Sequence, residues 1–134
     1  MRSDAEPAAF LYYVLKGESR MPCIETKTNM PIGAEKEKIL KEKLGKAISL
    51  LPGKSESWLM LTFEENCHIY FRGKGEEKLA YVEVSVLGSA PREAYERLTR
   101  EITDILSNEL GIPSDGVYVK YSETQHWGWN GGNF

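Results

Sequence analysis

The apolar pattern of this chain switches from alternation to a helical repeat and back to alternation, and it does so twice. Strand–helix–strand units of this kind pair their strands in parallel through right-handed crossovers. Two such units side by side predict an α/β (α+β) two-layer sandwich. Its sheet has four strands, with both helices on one face.

The first unit opens with alternation over residues 23–29, with Ile24, Thr26 and Thr28 set against Cys23, Glu25, Lys27 and Asn29. Pro31 and Gly33 break the strand. Residues 34–51 then place Leu40, Leu44, Ala47, Ile48 and Leu51 on one helical stripe. Glu35 and Glu37 suit the positive end of that helix, and Pro52-Gly53 stops it. The stretch SWLMLTFEE reads as a strand with Trp58 and Met60 on one face and Leu59, Leu61 and Phe63 on the other. Strands apolar on both faces are covered twice over. CHIYF reads as a further short strand, and RGKGEE as a turn.

The second unit repeats the order. Ala80, Val82, Val84 and Val86 line one face of a strand. Pro91 fits the first position of a helix running to residue 110, and Gly111 fits the position just past its end. Tyr95, Leu98, Ile102, Ile105 and Leu106 form its stripe, and VYVKY is the closing strand. Little chain remains to cover the second sheet face, which predicts self-association.

Other classes are excluded by composition. The net charge is −3 with no long basic cluster, so nucleic acid is not an expected partner. No apolar run nears twenty residues, so no membrane-spanning helix is expected. The two cysteines, Cys23 and Cys67, make no disulfide framework. Free thiols imply a reducing, cytoplasmic compartment. Cys67 and His68 point to opposite faces of any strand, so they make no catalytic pair, and no metal site is expected. The first twenty residues carry Asp4 and Glu6 and too short an apolar core for a secretory signal. Any release from the cell would therefore need another route.

Six stretches in order, MPCIETKTNMP, GKSESWLMLTF, IYFRG, VSVLG, GVYVKY and GWNGGNF, resemble the macrophage migration inhibitory factor family of the tautomerase superfamily. The resemblance spans residues 21–134. It implies a homotrimer of β-α-β-β-α-β protomers and a catalytic N-terminal proline exposed by loss of an initiator methionine. Met21 then reads as the start and Pro22 as the mature terminus. Residues 1–21 read as a leader or a mis-assigned upstream segment, ahead of a tautomerase-like domain at 22–134.

The chemistry explains the residue types. A proline inside a chain has no basic nitrogen, whereas a terminal proline is a secondary amine. Burial and a nearby cation lower its pKa toward the working pH, where a general base serves best. Such a base moves a proton between carbon and oxygen beside a ketone. By resemblance, Lys54 holds a substrate carboxylate and helps keep the proline neutral. A backbone amide at Val86 contacts the same group, although Leu87 stands where the family usually has glycine. Tyr118 matches a pocket tyrosine supplied by a neighbouring subunit. Lys120, two residues on, replaces the asparagine of the animal proteins. It either adds charge to the site, favouring dianionic substrates, or is a solvated edge lysine. Trp58 and Trp127 are expected pocket walls, with Trp127 in place of a smaller aliphatic. Trp129 and Phe134 fit either the pocket or trimer packing. The Cys-x-x-Cys pair of the animal cytokine is missing, with Lys78 and Tyr81 in its place, so its redox activity does not carry over.

The resemblance thus implies a cofactor-independent isomerase, a phenylpyruvate-type tautomerase acting on small α-keto acids or enols. Two other readings stand beside it. One is a cytokine-like, secreted or host-directed binding protein with a protein receptor and a vestigial pocket. The other is a packed trimer whose retained leader blocks the amine.

Overall fold

A computed structural model describes residues 21–134. The sequence assignment to residues 1–20 lies outside the described residues. The first unit comprises β1 (Pro22–Thr28), α1 (Ala34–Ala47) and β2 (Met60–Glu64). The second comprises β3 (Ala80–Leu87), α2 (Arg92–Leu110) and β4 (Val117–Thr124). A small hairpin, β5 (Gly128–Trp129) with β6 (Gly132–Asn133), closes the chain.

The four main strands form one sheet in the order β2-β1-β3-β4. Each unit pairs its own strands in parallel, as expected for a crossover connection. The units meet along β1 and β3, which run antiparallel with Pro22 opposite Val86 and Thr28 opposite Ala80. Both helices lie on one face. Ile24, Val82, Val84 and Val86 from the sheet pack with Leu40, Leu44, Ile48 and Leu51 of the first unit. Leu98, Ile102 and Leu106 complete that core from α2. Each of these side chains is withdrawn from water, the dominant favourable term in folding.

Local chemistry explains the boundaries. The start of α1 is held by the Glu65 carboxylate, which accepts the Ile32 N–H at 2.7 Å and the Gly33 N–H at 3.4 Å. Negative charge at that end suits the helix dipole. The α-helix stops at Ala47, earlier than the apolar stripe predicts, because Ile48–Leu50 tightens into a 3₁₀ turn. Such tightening is common at helix ends. The turn still buries Ile48, and Leu51 stays in the core. Pro91 caps α2 rather than entering it. At the other end Gly111 takes a left-handed φ of 69°, a conformation that costs glycine no Cβ clash. Asn29 ties β1 to the segment before β3, donating to Glu77 O at 2.7 Å and accepting the Leu79 N–H at 2.9 Å.

Three expectations need correction. Trp58 is not in a strand: Glu56–Trp58 is a 3₁₀ turn, and β2 starts only at Met60. CHIYF is not a strand either. After the Cys67 N–H bonds to Thr28 O at 2.9 Å, the chain leaves the sheet, and only Phe71 and Lys74 form an isolated bridge. The third concerns the sheet face away from the helices, which is polar rather than apolar. Its register aligns Thr62, Glu25, Glu83 and Lys120 in one row, and Glu64, Lys27, Tyr81 and Tyr118 in the next. Glu83 accepts hydrogen bonds from Ser122 Oγ at 2.8 Å and Tyr81 OH at 3.2 Å. Met60, at 66% exposure, is the apolar exception. The apolar argument for self-association therefore shrinks to Met60 and exposed aromatics such as Tyr70, Tyr118 and Trp129.

Candidate functional site

Strand direction gathers most of the candidate residues at one end of the sheet. The start of β1 lies beside the start of its parallel neighbour β2, where Cys23 pairs with Met60. The same end holds the finish of the antiparallel β3, where Pro22 pairs with Val86, and the finish of β4, where Val86 pairs with Glu123. The segment carrying Lys54 and Trp58 runs into β2 and so reaches the same end.

That segment is built tightly. Leu51 anchors it in the core. Gly53 takes a left-handed φ of 78°, and the Lys54 N–H closes the turn on Leu51 O at 3.1 Å. The Leu59 N–H then bonds to Glu56 O at 3.1 Å. The Glu56 carboxylate lies over Gly45 of α1, in space that any side chain there would fill. The result is a lysine with 5% of its surface exposed. Burial disfavours its charged form and brings the Lys54 pKa down to about 8. Few lysines are buried so far without a purpose or a partner.

Pro22 is buried at the head of β1. Its neighbour Met21 is 4% exposed, and the Met21 carbonyl accepts the Leu87 N–H at 3.0 Å. The Val86 side chain lies wholly in the core. Cys23 sits next to Pro22, and its thiol is pushed up by burial, then by Glu25 and Glu83. A shift in that direction disfavours the thiolate, and Cys23 is a free thiol, as the sequence reading has it.

The aromatic wall forms, though not as the sequence reading arranged it. Trp58 meets Trp129 edge-on at 5.1 Å between ring centroids, and Trp129 stacks on Phe134 at 6.3 Å. Trp127 is half-buried and accepts the Phe134 N–H on its carbonyl at 3.0 Å, which shapes the closing hairpin. The partnership of Trp58 with Trp129 was not legible beforehand, because seventy positions of chain separate them.

Tyr118 and Lys120 lie elsewhere. Tyr118 pairs with Tyr81, five positions before Glu123, so it stands about 16 Å along the strand from the level of Pro22. It is 59% exposed, with its ring edge-on to Phe71 at 5.2 Å. Lys120 pairs with Glu83 and helps to hold the Glu83 carboxylate below its usual range, after the hydrogen bond from Ser122. One copy of the chain does not bring these two residues to Pro22.

A second feature escaped the sequence reading. Tyr95 OH donates to Glu123 at 2.7 Å, and Tyr121 OH donates to Tyr95 O at 3.0 Å, with the two rings 4.4 Å apart. Burial first, then the bond to Glu123, pushes the Tyr95 hydroxyl well above its usual range. This cluster locks the first turns of α2 onto the end of β4. With Arg92, Glu96, Thr99 and Arg100, the two tyrosines border an open groove of about 490 Å³.

With this geometry in hand, comparison with known proteins is informative. The family model described as macrophage migration inhibitory factor matches residues 21–134. The structure of MIF2 from Leishmania major superposes with a TM-score of 0.80 at 32% identity, covering 87% of this chain and 99% of that one. The macrophage migration inhibitory factor homologue of Prochlorococcus marinus gives 0.75 at 28% identity, covering 84% and 98%. The Entamoeba histolytica protein gives 0.76 at 22% identity, covering 85% and 99%, which speaks for the fold alone. No curated protein matches the sequence.

Proposed function

This chain belongs to the macrophage migration inhibitory factor family, and from that premise we propose that it is a cofactor-independent keto–enol tautomerase of phenylpyruvate-like α-keto acids. The observation that supports the reading is a buried, desolvated Lys54 on the segment that leads into β2, at the end of the sheet where β1 begins with Pro22.

In the uncut chain the Pro22 nitrogen is an amide and has no basic lone pair. Cleavage between Met21 and Pro22 makes it a secondary amine. The amine takes a proton from the carbon beside the ketone, the C–H bonding pair becomes the new carbon–carbon π bond, and the carbonyl π pair moves onto the ketone oxygen. The same proton, or one from water, then goes to that oxygen and leaves the enol. Lys54 binds the carboxylate and offsets negative charge as it develops. Burial lowers the Lys54 pKa to about 8, and the same desolvation would disfavour the charged form of an amine freed at Pro22. Trp58, Trp127 and Trp129 give the aromatic tail of the substrate an apolar wall.

We place Tyr118 and Lys120 in the pocket of a neighbouring copy. Their exposure and their distance from Pro22 in one chain support this, as does the position of β4 at the edge of the sheet formed by the described residues. The assembly that follows is the homotrimer expected of the family.

The test is the intact mass of the protein from its native host, followed by phenylpyruvate kinetics. A mass beginning at Pro22 together with enol–keto interconversion supports the reading. A mass beginning at Met1, or a Pro22-initiated protein that leaves phenylpyruvate untouched, ends it.

A further inference from the structure

We propose that Glu83 sets the substrate class: it neutralises Lys120 from within the same chain, so the site takes α-keto acids with one carboxylate and gains nothing from a second. The inference rests on the placement of Lys120 in a neighbouring copy's pocket, as proposed above. It replaces both roles that the sequence leaves open for this lysine, and it adds the residue that decides the outcome.

Strands β3 and β4 pair in parallel, and Lys120 lies directly opposite Glu83. Residues opposite one another in a ladder project to the same face and are near enough to interact. Both strands belong to one chain, so the pair needs no assembly to form and stays with Lys120 wherever a neighbouring copy meets it.

The carboxylate is fixed in place. Ser122 Oγ donates to Glu83 Oε2 at 2.8 Å, and the Tyr81 hydroxyl donates to Oε1 at 3.2 Å. Each oxygen thus has one donor, and lone pairs remain for the Lys120 ammonium. The Ser122 bond first, then Lys120, Tyr81 and Lys27, hold the Glu83 carboxyl below its usual range against the opposing pull of desolvation. Glu83 is therefore ionised at neutral pH, a counter-charge that is already oriented.

The rest of the face adds no cation to spare. Glu25 stands on the other side of Glu83 in the same row, and Glu64 faces Lys27 in the next. Among the described residues of the four strands, this face sets Glu25, Glu64 and Glu83 against Lys27 and Lys120. A second substrate carboxylate that approaches Lys120 also approaches Glu83, and like charges repel. Selectivity of this kind comes from the unfavourable contact rather than from a new favourable one.

The experiment measures binding by calorimetry to the protein beginning at Pro22, at low ionic strength. The probes are 3-phenylpropionate, with one carboxylate, and benzylsuccinate, which adds a second. The native sequence should bind the two within about twofold of each other, and Glu83→Gln should tighten benzylsuccinate alone by about fivefold, the upper worth of an exposed ion pair. Adding Lys120→Met to Glu83→Gln should abolish that gain. An unmoved ratio in Glu83→Gln would overturn the proposal, and so would a gain that survives Lys120→Met. Should Glu83→Gln fail to fold, Lys120→Met alone decides. A loss of benzylsuccinate affinity of about fivefold in the native background overturns the proposal, and a loss under about twofold upholds it. The readout needs no turnover. If neither probe binds, the pocket reading falls and takes this inference with it. If the ratio moves as expected but phenylpyruvate is not interconverted, the base assignment falls and the role of Glu83 stands.

Discussion

The two strand–helix–strand units share one plan and spend it differently. In the second unit β3 and β4 pair over eight residues, and α2 runs 19 residues in one regular piece. In the first unit β1 and β2 pair over five, and α1 runs 14 residues before dissolving into two 3₁₀ turns. The irregular stretch is the one that carries Lys54 and Trp58. Regular backbone satisfies its own hydrogen bonds and packs well, but it leaves few groups to face a ligand. The candidate chemistry sits where regularity is given up, on a frame supplied by the more regular unit.

Perturbing each unit in turn tests that division. The largest effect expected is from Pro22→Gly in the protein beginning at residue 22. Turnover should fall roughly 10²- to 10⁴-fold, the usual worth of a positioned base, with the melting temperature unchanged. Near-normal turnover would remove chemistry from the first unit. The mirror experiment is Leu98→Ala in α2, a side chain with no exposed surface. It should destabilise the fold by about 2–5 kcal/mol while leaving KM for phenylpyruvate alone. Denaturant unfolding alongside kinetics separates the two outcomes, and a changed KM would blur the comparison.

Lys54→Ala comes next. Losing a charge-assisted bond to a carboxylate should raise KM roughly 10- to 100-fold. The pH profile sharpens the same point. The Lys54 pKa is lowered to about 8, so the side chain is charged below that pH and neutral above it. KM for carboxylate substrates should therefore rise as pH climbs through about 8, and a profile flat to pH 10 would count against the assignment. The smallest effect belongs to Tyr95→Phe. Loss of its bond to Glu123 should cost about 1 kcal/mol of stability, measured by thermal melting, with little change in kcat.

Much of the frame was legible in the sequence because it rests on periodicity. Leu40, Leu44, Ile48 and Leu51 were read as one stripe and all are buried. Ala80, Val82, Val84 and Val86 were read as one strand face and line the core. Periodicity failed where side-chain pattern and backbone disagree. Trp58 and Met60 alternate with Leu59 and Leu61 as a strand would, yet the turn that seats Lys54 consumes the first of them. CHIYF has strand-like composition, but among the described residues it pairs only at its ends, Cys67 with the Thr28 carbonyl and Phe71 with Lys74. The site was half legible. Pro22 and Lys54 were proposed by motif, and strand direction then explains why both lie toward one end of the sheet. The bond between Leu87 and Met21 depends on the antiparallel contact of the two units, which no local pattern encodes.

One consequence of the strand directions concerns the opposite pole of the molecule. With the candidate end at the heads of β1 and β2, the turn bridged by Phe71 and Lys74 lies outside the main ladder, beside the exposed Tyr118 ring. Exposed turns of this sort accept inserted sequence more readily than any other backbone. A fluorophore placed between Gly73 and Lys74 would therefore report on the seam where Tyr118 is proposed to meet a neighbouring copy. The head of β1 offers no such freedom under the function proposed above, because a group attached to a freed Pro22 amine would sit on the proposed base itself.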